Sequence, residues 1–236
     1  MILAALIAIY LWRREARWTF FVLGGLSWLI SVFLKGVLAF YINRFVYAGT
    51  QQLPPLISGL SYWTYVGLLT GIFEVGIVYF FATSTHSLRR ARWQEAIAFG
   101  IGFGSLEAIF LGILSLITVI WGLQGTLLPA IVAPFMIKEG VILWVLAPIV
   151  ERVFTILIHT FAAVVTIYSV RIRLLRWFWL AFIYKTATDA VVAYAQMSYG
   201  LHTLQHVWTI EAVVATFGLV GLLGIAALRR NYDALW

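Results

Sequence analysis

Residues 18–42 read WTFFVLGGLSWLISVFLKGVLAFYI, a run whose single charged side chain is Lys35. A helix rises 1.5 Å per residue, so about 20 apolar residues cross a hydrocarbon core about 30 Å thick. Membrane barrel strands alternate apolar and polar positions over about ten residues. This run is apolar on every side, and a helix satisfies its own backbone groups in lipid. The stretch is therefore predicted to be a transmembrane helix.

Working outward, six further apolar runs stand at 1–12, 60–83, 94–122, 148–170, 176–198 and 207–229. The fold class expected is all-α: a polytopic integral membrane protein with about seven transmembrane helices, as one helical domain over 1–236. The first run is short and reads as a partial span or a clipped start. Its arginines follow it, whereas a signal peptide puts positive charge first.

The composition agrees. Of 236 residues, 63% are hydrophobic and 11% charged, against roughly 45–50% and 25% in soluble domains. A soluble enzyme, a disordered chain and a coiled coil are excluded. The chain has no cysteine, which removes disulfides, zinc ribbons and thiol catalysis.

The net charge of +7 is explained by where the arginines stand. Arg13, Arg14 and Arg17 follow the first run; Arg89, Arg90 and Arg92 follow the third; Arg171, Arg173 and Arg176 follow the fifth; Arg229 and Arg230 close the seventh. Every second loop is basic. Positive-inside counting puts the N-terminus out and the C-terminus in. Anionic lipid headgroups are the expected partners of these loops, and nucleic acid is not. Trp12, Trp18, Trp63, Trp93, Trp121, Trp177 and Trp208 fall near run ends, as interfacial anchors do. Residues 124–147 carry Pro129 and Pro134 and end just before Pro148. They are expected to form an outside-facing interfacial or re-entrant segment.

Ionisable groups inside a bilayer cost about 2.5–3.5 kcal/mol each and mark sites or ion pairs. The candidates are Lys35, Glu74, Glu107, Glu151, Arg152, His159, Lys185, Asp189 and Glu211. Lys185 and Asp189 are four apart, share a helix face and are expected to pair. Arg152 and His159 are seven apart, nearly on one stripe. Glu151, just after Pro148, reads either as a first-turn carboxylate favoured by the helix dipole or as part of a site. Glu211, near an outer end, is expected to snorkel or be wetted. Lys35 has Glu74 or Glu107 as possible partners. Gly100, Gly104, Ala108 and Gly112 make a small-residue stripe that admits a close neighbour, which turns Glu107 toward protein.

These groups limit the function classes. Retinal binding needs a mid-span lysine in the last helix, and 207–229 has none. No haem or nucleotide site is expected either. H-E-x-x-H, G-x-S-x-G and Walker A patterns do not occur. His202 and His206 make only a two-ligand pair, short of a zinc site. A proton- or cation-linked transporter stays open. So does an intramembrane hydrolase, if carboxylates and His159 converge to activate water.

Four segments carry a resemblance. They are Phe73-Glu74; Gly100-Ile101-Gly102-Phe103-Gly104-Ser105-Leu106-Glu107-Ala108; Glu151-Arg152 with His159; and Lys185 with Asp189. In order and spacing they resemble the YhfC-type intramembrane peptidases, loosely grouped with the PrsW-like glutamic membrane proteases. The resemblance runs from about residue 10 to 200. It implies a prokaryotic plasma-membrane protein, multi-pass, with Glu74 as base and Glu107 and His159 as proton or divalent-metal partners. This chain departs from the pattern at four places. Val75 stands for a second glutamate, Val78 for an arginine, and Phe103 and Lys185 for histidines. A phenylalanine neither ligates a metal nor moves a proton. The departures imply an impaired, pseudoprotease-like protein. It would act as a membrane scaffold or accessory subunit, with a membrane-protein partner or as a homo-oligomer. Glu151, Arg152, Lys185, Asp189 and Lys35 would be its structural polar network. An active glutamate- or metal-dependent peptidase is the alternative.

Overall fold

The computed structural model describes residues 1–123, 141–199 and 203–234. Helices follow one another along the chain: α1 (Ile2–Trp12), α2 (Trp18–Thr50) and α3 (Pro55–Thr70) come first. A π-helical turn (Gly71–Val75) leads into α4 (Gly76–Ser84) and the short α5 (His86–Arg89). Then come α6 (Trp93–Leu123), α7 (Val141–Ile172), α8 (Leu175–Tyr199) and α9 (Leu204–Asp233). No strand occurs among the described residues.

Among the described residues, five segments are long and apolar enough to span: Trp18–Thr50, Leu56–Ser84, Trp93–Trp121, Ile142–Ile172 and Leu204–Tyr232. The expected runs at 1–12 and 176–198 are helical but outside that set. The first has only 11 residues. The other, α8, is 25 residues long, but Arg176, Lys185 and Asp189 lower its hydropathy. Both of its mid-helix charges point at protein, not lipid, as shown below.

Pro55 starts α3 where its missing N–H costs nothing. Thr203 caps α9, its hydroxyl accepting from His206 N at 3.2 Å. Residues 141–147 are helical and form the first turns of α7, which continues through Pro148 where an interruption was expected. A proline removes one N–H from a helix interior, and the apolar residues on either side hold the helix together. Residues 124–140 lie outside the described residues.

The core is built on α6, which packs between α2 and α7. Glycines bring the backbones together. A Cβ on Gly24 of α2 would collide with the carbonyl of Phe99 on α6. On another face of α6, a Cβ on Gly100 would collide with the backbone of Thr160 on α7. The stripe thus serves close packing.

All four arginine groups lie at one end of the bundle. Trp12 Nε1 donates to Gln94 O at 2.9 Å, and Arg17 pairs with Glu95 at 3.2 Å. Arg171 donates to Ala91 O at 2.6 Å, and the Arg229 guanidinium stands 5.0 Å over the Trp93 ring.

Candidate functional site

The charged side chains of five different elements meet in the middle of the bundle. Lys35 comes from α2, Glu74 from the π turn, Glu107 from α6, Glu151, Arg152 and His159 from α7, and Lys185 and Asp189 from α8. The π turn adds a residue to the helical turn, so α4 is out of phase with α3. Glu74 and Val75 are both buried within it.

Glu74 is the hub. Its Oε1 accepts from Lys35 Nζ at 2.6 Å, and its Oε2 lies 3.3 Å from Lys185 Nζ and 3.6 Å from His159 Nδ1. Lys185 also holds Asp189 Oδ1 at 2.9 Å and Oδ2 at 3.2 Å, the expected i, i+4 pair. The second hub is Glu107. Its Oε1 accepts from Arg152 at 2.6 Å, and its Oε2 accepts from Trp28 Nε1 at 3.1 Å. His159 Nε2 lies 2.8 Å from the same oxygen, at pairing distance but off the line of a hydrogen bond. Arg152 also bonds Glu151.

All of the intramembrane candidates but Glu211 therefore join one network, and Lys35 finds Glu74 as its partner. Two expectations are corrected. Glu151 is not in a first helical turn, because α7 begins ten residues earlier. The helix dipole therefore does not act on it, and the Arg152 guanidinium does. Glu211 neither snorkels nor is wetted: it is buried, with Oε2 unbonded among the described residues. It lies two turns inside α9, which packs along α7, too deep to reach water. His202 lies outside the described residues.

Sequence reasoning missed Trp28, Thr70 and the π turn. Thr70 Oγ1 is 3.4 Å from Lys35 Nζ. Trp28 carried a usable signal, since it precedes Lys35 by seven and shares its face of α2.

The surroundings of the network differ on its two sides. Toward α2 and α8 it borders a cavity of about 420 Å³, lined by Trp28, Lys35, Glu107, Glu151, Arg152 and Asp189 among others. On the other side Val75, Val78 and Phe103 close over Glu74 and His159, leaving about 10 Å³. That is room for one water at most. The Phe103 ring lies 5.0 Å from the His159 ring. The three apolar replacements of the motif thus form one plug.

A divalent metal does not fit these residues. Among the described residues no group of three or more metal-capable side chains forms. Glu107 and His159, the expected ligands, do meet. However, Arg152 holds one Glu107 oxygen, and Lys35 and Lys185 hold both oxygens of Glu74. A metal there would have to displace these cations from the carboxylate oxygens that they already pair with.

Compared with known proteins, the family described as YhfC intramembrane metalloprotease matches residues 1–214. No curated protein and no solved structure matches significantly.

Proposed function

The chain belongs to the YhfC intramembrane metalloprotease family, and within that family we propose a catalytically impaired member that serves its membrane as a scaffold or accessory subunit. It is a multi-pass membrane protein, and its proposed location is a prokaryotic plasma membrane with the arginine-rich end inside. The observation that carries this reading is the occupancy of Glu74. A general base needs a free lone pair and a water within reach. Both Glu74 oxygens face ammonium groups, at 2.6 and 3.3 Å. The plug of Val75, Val78 and Phe103 leaves room for one water at most on the His159 side. What remains is an ion-paired polar core that joins the helices, in which Glu74 Oε2 and His159 Nε2 are in pairing distance of charged groups but make no hydrogen bond. Its expected partners are another membrane protein or a second copy of the chain.

A second reading has one observation in its favour. Glu74, His159 and Glu107 meet within one-water reach beside the 420 Å³ cavity. An active peptidase using Glu74 would need that geometry.

One experiment separates the two. The purified full chain is reconstituted in liposomes with fluorogenic single-span peptides, beside Glu74→Gln and His159→Phe variants, and each protein is also melted. The expected result is no wild-type turnover above either variant, with wild-type protein crosslinking to a partner or to itself. Turnover that is lost in His159→Phe at an unchanged melting temperature overturns the proposal.

A further inference from the structure

The arginine-rich end holds a second feature, remote from the central network. His86, Arg89 and Arg90, at the corner after α4, face Arg171 and Arg173, at the corner between α7 and α8. Together they line a cleft of about 450 Å³, and an adjoining cleft of about 270 Å³ shares Arg89 and Arg173. Glu95, the acidic residue close by in sequence, is taken by Arg17 and Arg92. Among the described residues no carboxylate pairs with Arg89, Arg90 or Arg173. Concentrated, uncompensated guanidinium charge of this kind matches phosphate oxygens, which Arg binds through its planar fork.

The backbone of Arg173 is the second observation. It has φ of 56°, the only positive φ outside glycine among the described residues. Leu174 N bonds back to Ser169 O at 3.0 Å. That is the helix-ending turn in which glycine is the usual residue. An arginine there adopts a conformation that disfavours side chains. Such a choice points to a role for the side chain.

Depth is the third. Two apolar spans end at Ser84 and Ile172, immediately before these residues. The cleft is therefore level with lipid headgroups. The exposed Leu174 follows Arg173 in the chain, and the exposed Leu175 lines the adjoining cleft. Tyr79 lines the adjoining cleft as well.

We propose that this cleft binds the phosphate-bearing headgroup of an anionic membrane lipid. Arg89, Arg90 and Arg173 take the phosphate, and Leu174, Leu175 and Tyr79 bear on the upper acyl chain. The proposal is independent of whether the central network performs chemistry.

The test uses the full chain in a neutral detergent. Binding of phosphatidylglycerol is followed by native mass spectrometry and by thermal melting, against phosphatidylcholine and inorganic phosphate as separate probes. Each arginine removed at a headgroup site should weaken binding about fivefold, and Arg90→Gln with Arg173→Gly about 25-fold. Arg14→Gln with Arg230→Gln removes the same charge from the same end and should leave affinity within about twofold. Arg173→Gly should also raise the lipid-free melting temperature, because it relieves the backbone. A purely structural arginine gives no such opposed pair of effects. Equal weakening by both double variants would show diffuse attraction and overturn the site. So would equal binding of phosphatidylcholine. Inorganic phosphate that binds as tightly as the lipid would overturn the lipid as ligand.

Discussion

Lys185 places its ammonium 3.3 Å from Glu74 Oε2, joining α8 to the π turn. Phe103 lines the same space, so a cation and a hydrocarbon ring flank Glu74 and His159 there.

Removing that cation strips Glu74 of one partner and leaves Asp189 alone. Breaking one side of a buried pair costs about 3–5 kcal/mol. Lys185→Met is expected to lower stability by that order, measured by reversible unfolding in detergent. Lys185→Met combined with Glu74→Gln and Asp189→Asn should recover part of the loss. An additive triple variant would show that Lys185 acts by packing alone.

Metal content follows from the donor set. Wild-type protein, purified without chelator and then treated with EDTA, should keep its melting temperature and show substoichiometric zinc by mass spectrometry. Phe103→His alone should not change this, because Lys185 still neutralises Glu74. Phe103→His with Lys185→His should take up zinc, since two imidazoles then join His159 and Glu74. Stoichiometric zinc in the wild type would refute the fit argument.

The glycines predict substitutions of differing sign. Gly100→Leu drives a side chain into the Thr160 backbone. It should cost at least about 1–3 kcal/mol, as overpacking does. Gly36 has nothing within 4 Å, so Gly36→Ala should be neutral or stabilise by up to about 1 kcal/mol through helix propensity. Melting temperatures of the two variants in the same detergent check both signs.

Orientation is open to a direct measurement because the chain has no cysteine. Gln51 lies just after α2, and Arg90 lies at the arginine-rich end. A Gln51→Cys variant in intact cells should react with an impermeant maleimide. An Arg90→Cys variant should react only after permeabilisation. The reverse pattern would turn the protein over in its membrane.

The sequence by itself determined that the chain is helical and membrane-embedded. Runs such as 18–42 leave the backbone no other way to satisfy its hydrogen bonds in lipid. It also determined which charges are costly, and through the i, i+4 spacing it supplied the pairing of Lys185 with Asp189 on one helix. Pro148 misled: read as a break, it lies inside α7, because neighbouring helices carry a helix past a proline that local rules would stop at. Glu211 misled in the same way, since burial depends on what packs alongside and not on distance from a helix end. Only the tertiary structure decided that Lys35, from α2, closes on Glu74, that Trp28 and Arg152 share Glu107, and that Val75, Val78 and Phe103 meet as one plug. The three polar contacts join residues 39, 79 and 45 positions apart in the chain. They arise where glycine-bearing faces bring separate helices together, and no local periodicity encodes which faces meet.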